Sequence, residues 1–154
     1  MDLLGEYVKL VDGLDLAGVE YATCGGLAMA VHGFIRATKD IDVLIQEKDV
    51  EPAFSVARSL GYDVEGLPLN FGSGKFKLRR ISKIDKDSKE LVTIDFLIVT
   101  DWMTDVWATR HEVEWESGRA WVVSREGLIK MKTLAGRDQD LVDIRNLTEA
   151  NDET

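Results

Sequence analysis

Asp40 and Asp42 stand two residues apart at the head of an apolar run, DIDVLI. Asp95 sits inside LVTIDFLIV, the most β-like stretch of the chain. On a strand, residues i and i+2 point to the same face, so the two carboxylates lie side by side while Ile41 points the other way, into the core. Left bare, they repel and raise each other's pKa. A divalent cation relieves that, and Mg²⁺ (or Mn²⁺) favours hard oxygen ligands of this kind, completed by waters and phosphates. A carboxylate in the middle of an apolar strand is costly unless it is paired or metal-bound. Should the Asp95 strand lie beside the Asp40/Asp42 strand, three carboxylates converge. Such a cluster suits two-metal phosphoryl transfer, with one ion at the attacking hydroxyl and the other at the leaving pyrophosphate. An isolated Asp-x-Asp at a strand end is usually a turn or surface feature; Asp95 and a glycine pair upstream move the reading toward a site.

Gly25-Gly26 follows a short strand and opens a helix. Helix N-termini present free N–H groups and a positive dipole end, which suits phosphate, and glycines let the backbone approach closely. Strand–glycine–helix turns also arise for purely structural reasons, and no Gly-Lys-Ser/Thr follows to make a Walker loop. In GSGKFKLRR the simplest account is a flexible turn feeding a strand. There Lys75, Lys77 and Arg79 alternate onto one face as the best candidate basic patch. His32 and His111 have no metal-ligand partners at useful spacing, and Cys24 reads as a small buried residue. Trp102, Met103, Val106 and Trp107 look like one core-facing helix side.

The elements that must hold these groups can be read from periodicity. The spacing predicts helices over 2–15, 26–34, 47–62, 101–110 and 124–136, the last capped by Ser124, with a helical continuation over 137–147 after a break at Gly136. It predicts strands over 19–25, 41–45, 75–84 and 91–99, and a hairpin around Ser117-Gly118. The fold class is mixed α and β (α+β): a small mixed sheet containing antiparallel pairs, with flanking helices. The 154 residues, 45% hydrophobic and 31% charged, fit one domain over 1–154 with one core. No apolar run is long enough to span a bilayer, and the N-terminal segment lacks a signal-peptide pattern, so no membrane partner is expected. A single cysteine excludes an internal disulfide and points to a cytoplasmic location. A net charge of -9 argues against a non-specific grip on nucleic acid or anionic membrane.

Together these pieces resemble the nucleotidyltransferase superfamily, the polymerase-β-like fold. Its pattern is a glycine pair at a helix start, then Asp-hydrophobic-Asp, then a third Asp on a later strand. Here that is Gly25, Gly26, Asp40, Asp42 and Asp95. The block GGLAMAVHGFIRATKDIDVLI is similar to the minimal branch that includes abortive-infection toxin nucleotidyltransferases, where Gly-Gly, Arg-x-Thr and Asp-hydrophobic-Asp fall in one block. LIKMKTLAGRDQDLVDIRNL is similar to that branch's helical lysine followed by an Arg…Asp…Asp helix. The resemblance spans Tyr21 to Leu147.

The resemblance implies a metal-dependent enzyme that moves a nucleoside monophosphate from an NTP to a hydroxyl and releases pyrophosphate. Asp40 and Asp42 would bind two Mg²⁺ (or Mn²⁺), and Asp95 would bind one and accept the acceptor's proton. Gly25, Gly26, Arg36 and Thr38 would serve the nucleotide. Lys132 matches the lysine near the triphosphate, and it borders the helical stripe of Leu128, Met131 and Leu134 while Lys130 lies farther out. Arg137, Asp140 and Asp143 share one helix face and read as a structural ion-pair network. The acceptor, whether tRNA, protein or a small molecule, is not fixed by the sequence. Toxin-type enzymes often carry a further helical domain, which leaves a protein partner or a homodimer as the expectation, as does a place in a toxin–antitoxin pair. The rival reading is a non-catalytic nucleotide-binding or interaction module on the same fold; intact carboxylates argue against it.

Overall fold

Alternation within two apolar strands sets the architecture. In a computed structural model that describes residues 2–34, 38–115 and 118–152, strand β2 (Asp40–Ile45) runs parallel to β6 (Leu91–Ile98). Ile41, Val43, Ile94 and Phe96 point to one face of the sheet and are fully buried. Helix α1 (Leu3–Leu16) covers that face with Tyr7, Leu10, Val11 and Leu14, and α3 (Val50–Ser59) with Val50, Ala53, Phe54 and Ala57. These spacings of three and four are what a helix needs to bury one stripe. Asp2 caps α1, its carboxylate accepting from the Gly5 amide at 2.9 Å.

The opposite face carries Ala22 and Cys24 of β1 (Ala22–Cys24), with Leu44, Leu78 and Leu97. They pack with α2 (Gly25–Val31), α4 (Thr104–Ala108), α5 (Arg125–Ala135) and α6 (Asp138–Asp152) through Ala28, Met29, Val106, Leu128, Met131 and Leu147. The fold is therefore α+β with a mixed sheet, as the sequence predicts. The remaining strands are β3 (Val64–Glu65), β4 (Leu69–Phe71), β5 (Phe76–Ile84), β7 (His111–Trp115) and β8 (Gly118–Val122). The order is β3-β5-β6-β2-β1-β8-β7, with β4 also on β5. β7 and β8 form the predicted antiparallel hairpin; Ser117 in its turn lies outside the described residues. Ser124 caps α5, and Gly136 ends it at φ 65° in the left-handed region, where glycine carries no Cβ penalty. No helix among the described residues is long and apolar enough to cross a membrane.

The turn expected ahead of β5 forms over 72–75, and β4, which the sequence reading does not predict, precedes it and folds back on β5, pairing Leu69 with Leu78 and Phe71 with Phe76. Two expectations change. Trp102 is 51% exposed while Met103 and Val106 are buried, because a turn of 3₁₀ helix over Asp101–Met103 turns its side chain outward. The basic patch also dissolves. Arg79 lies over the Phe54 ring at 5.0 Å and Lys75 over Trp102 at 4.8 Å, so these cations rest on aromatic faces instead of lining an open groove.

Candidate active site

Strand register puts four side chains in one row. Cys24 pairs with Asp42, Asp42 with Asp95, and Asp95 with Arg80. Directly paired residues share a sheet face, so Asp42 and Asp95 are neighbours across two parallel strands, and Asp40 joins them from two positions earlier on β2. These carboxylates, with Arg80, lie in the floor of a cavity of about 280 Å³. Leu69, Phe71, Phe76 and Leu78 form one wall, and Phe71 stacks flat on Phe76 at 4.7 Å. Lys132 of α5, Arg137 of the link between α5 and α6, and Asp140 of α6 line the same cavity.

Charge is poorly balanced at the centre. Burial, reinforced by Asp95 and Asp40, pushes the Asp42 carboxyl up to about 7, with Arg137 and Lys132 offsetting only part of this. Burial and Asp95 also raise Asp40. Beside them, Cys24 is fully buried, and desolvation together with Asp42 holds its thiol well above the usual range. Asp95 differs because it has a partner. Arg80 Nε donates to Asp95 Oδ1 at 2.7 Å and Nη2 to Oδ2 at 3.0 Å, a two-pronged clasp that uses both oxygens.

A second ion-pair network supports the far side. Lys132 Nζ donates to Asp143 at 2.8 Å and lies 3.7 Å from Asp140. Arg137 grips Asp140 through Nε at 2.7 Å and Nη2 at 3.2 Å. Burial works against the Asp140 carboxylate, but these hydrogen bonds outweigh it and its pKa is lowered. Lys132 is 5% exposed, more deeply placed than a stripe-edge lysine, because two aspartates of α6 receive it. Lys130 points away, to Asp105 of α4 at 2.7 Å.

The glycines have a geometric reason. Gly25 sits at φ 64°, and a Cβ there would overlap the Asp42 carboxylate, so the missing side chain is what lets Asp42 lie against the start of α2. α2 begins at Gly25 itself, one residue earlier than the periodicity suggests. Gly26 is buried and packs on Thr38, whose hydroxyl would be 2.7 Å from an added Cβ. Thr38 also donates to the Asp40 carbonyl at 3.4 Å, which makes it a support for the loop and leaves it outside the cavity lining. Arg36 lies outside the described residues. Thus Asp40, Asp42, Asp95, Gly25 and Lys132 meet at one cavity, and Gly26 and Thr38 lie beside it.

Sequence reasoning missed Arg80. Arg79 and Arg80 are consecutive on a strand, so one of the two had to lie on the carboxylate face, and that signal was available.

The donors present fit a hard divalent cation in part. Asp40 and Asp42 offer carboxylate oxygens on one face, and burial beside Asp95 and Asp40 leaves the Asp42 carboxylate only partly compensated by Arg137 and Lys132. Among the described residues, no three His, Cys, Asp or Glu side chains form a closed metal-binding group as they stand, with Asp95 engaged by Arg80. The expected three-carboxylate cluster is thus adjacent in register but not closed.

A family model described as a nucleotidyltransferase of unknown function (DUF6036) matches residues 6–151. No curated protein matches the sequence. Among solved structures, the chain resembles ANT(2'')-Ia in complex with adenylyl-2''-tobramycin, at 14% identity and a TM-score of 0.68, over 97% of this chain and 90% of that one. It resembles TM1012 from Thermotoga maritima at 16% identity and a TM-score of 0.68, over 97% and 94% of the two chains. It also resembles JHP933 from Helicobacter pylori at 18% identity and a TM-score of 0.59, over 96% and 66%. At these identities the likeness is one of fold.

Proposed function

The chain belongs to this family of nucleotidyltransferases, and on that premise we propose that it transfers a nucleoside monophosphate from an NTP to a hydroxyl acceptor, with release of pyrophosphate. The observation that carries the reading is the pairing of Asp42 with Asp95 across parallel strands, with Asp40 on the same face and Gly25 pressed against Asp42. A surface ion pair would not place three carboxylates in one cavity floor with Asp42 left under-compensated.

The acceptor oxygen attacks the α-phosphorus, the bond from that phosphorus to the β-phosphate's bridging oxygen breaks, and pyrophosphate leaves. A divalent cation held by Asp40 and Asp42, Mg²⁺ or Mn²⁺, would supply Lewis-acid charge for the phosphate oxygens. Asp95 takes the proton of the acceptor hydroxyl. Lys132 and Arg137 place positive charge where the leaving group gains negative charge, a contribution realised most fully in the transition state. Gly25, lacking a side chain, lets the backbone at the start of α2 lie against Asp42, where the phosphates would sit. The flat Phe71–Phe76 pair offers a planar substrate ring a surface to stack on.

The direct test incubates the protein with each α-labelled NTP, Mg²⁺ or Mn²⁺, and total RNA, total protein or a small-molecule extract. Label transferred to one of these fractions supports the reading and names the acceptor class. NTP bound with no turnover in any fraction would favour the non-catalytic module. The glycine turn provides a further prediction. Gly25→Ala and Gly33→Ala both force alanine into the left-handed region, at φ 64° and φ 96°, a strain of roughly 1–2 kcal/mol. Both variants should melt at lower temperature. Only Gly25→Ala should lose transfer, because a Cβ at Gly33 meets nothing within 4 Å whereas one at Gly25 meets Asp42. Equal transfer by the two variants would reduce Gly25 to a turn residue.

A further inference from the structure

The clasp on Asp95 points to a role for Arg80 that resting on a carboxylate does not exhaust. Asp95 is 4% exposed and gives both oxygens to Arg80, whose side chain is 45% exposed and lines the same cavity. The arginine side chain is thus partly in solvent, while the carboxylate is fixed in the middle of β6. Asp40 and Asp42, in the same floor, have no such partner among the hydrogen bonds and ion pairs of the described residues. One arginine thus neutralises one of three carboxylates, and it does so at the position that the transfer reaction needs free.

We infer that Arg80 is a positioning residue that acts as a built-in counter-cation: it holds Asp95 in the nucleotide-free protein and must release at least one oxygen before Asp95 can take a metal ion or a proton. This rests on the proposed transfer function. The fork takes up one lone pair of each Asp95 oxygen and sets a positive charge beside both, so metal and arginine compete for Asp95 through charge repulsion and shared coordination space. A bound NTP shifts that competition, because its phosphates offer the fork an alternative bidentate partner in the same cavity. The ion at Asp95 is then recruited together with nucleotide and not before it, which keeps the site closed to free cations. Released from Asp95, Arg80 remains at the floor, on the side of Asp95 away from Asp42, since β5 flanks β6 opposite β2.

The test titrates full-length protein with Mn²⁺ alone, following the free ion by electron paramagnetic resonance, and melts the same proteins in EDTA. Arg80→Gln should bind Mn²⁺ roughly tenfold to a hundredfold tighter than wild type without nucleotide, the scale set by removing a positive charge a few ångström from the ion. It should also melt at lower temperature in EDTA, with Mn²⁺ restoring the difference. Arg80→Lys keeps the charge without the fork and should fall between the two; it also serves if the glutamine variant folds poorly. Adding Asp95→Asn should erase the gain in affinity. Unchanged or weaker Mn²⁺ binding in both arginine variants would overturn the inference, as would a gain that survives Asp95→Asn. If wild type binds Mn²⁺ with ATP and neither Arg80 variant alters metal affinity, the counter-cation fails while the transfer reading stands. If Mn²⁺ binds no variant with or without ATP, the metal-assisted reading itself fails.

Discussion

Asp42→Asn will abolish nucleotidyl transfer and, in the same protein, raise the melting temperature of the metal-free form at pH 8 by about 3–6 °C, the scale for a domain of this size relieved of one unfavourable charge. The two effects share one cause. Asp42 is desolvated in the cavity floor, with Asp95 and Asp40 beside it and only Arg137 and Lys132 in partial compensation, and its pKa is pushed up from 3.8 to about 7. A carboxyl with a raised folded pKa is a liability when ionised. Between about pH 4 and 7 the folded chain holds a proton that the unfolded chain has released, so stability falls as pH rises, and above 7 the full penalty is present. The melting-temperature gap between Asp42→Asn and wild type should therefore open from pH 4 to 7 and then level off. Added Mg²⁺ with NTP should reverse the order at pH 8, stabilising wild type through binding linkage and leaving the variant behind. A gap independent of pH, or equal stabilisation of both proteins by metal and nucleotide, would remove Asp42 from the metal site.

The parts of this site legible in the sequence are those carried by local pattern. Asp40 and Asp42 were readable because alternation in DIDVLI fixes which side chains share a face, and Asp95 because a carboxylate in LVTIDFLIV needs a reason. That Asp95 lies opposite Asp42, and not one register away, depends on strand pairing between segments 53 residues apart, which no local pattern encodes. Arg80 fell to a competing rule: the run of Lys75, Lys77 and Arg79 drew attention to the odd-numbered face, while the even-numbered Arg80 shared the carboxylate face. β3 and β4 were missed because two or three residues carry no measurable period. The glycine pair was recognised, yet its reason was not. Gly25 is small because Asp42 needs the space, a tertiary fact. The resemblance and the helical stripe both put Lys132 near the site, but its burial comes from Asp140 and Asp143 on α6, whose shared helix face suggests ion pairs local to that helix.

That burial changes what losing Lys132 will do. Lys132→Ala should cost about 3–5 kcal/mol of stability, the scale for removing one partner of a buried ion pair, because Asp143 at 2.8 Å and Asp140 at 3.7 Å both lose a cation. Arg137 still holds Asp140, and Gln139 still donates to Asp143 at 2.8 Å, so the fold survives at low temperature. Turnover measured on this variant alone would mix unfolding with chemistry. Lys132→Met combined with Asp143→Asn separates them. Met fills the lysine stem's volume, and Asn keeps an acceptor for Gln139 without the unbalanced charge. The double variant should recover most of the lost stability in thermal melts while turnover stays roughly tenfold to a thousandfold down, the scale of one lost electrostatic contact to developing charge. Lys130→Ala, which loses only a solvent-exposed pair with Asp105, should leave both the melting temperature and turnover close to wild type. If the stable double variant regains full turnover, Lys132 serves the packing of α5 on α6, and the positive charge facing the carboxylates comes from Arg137.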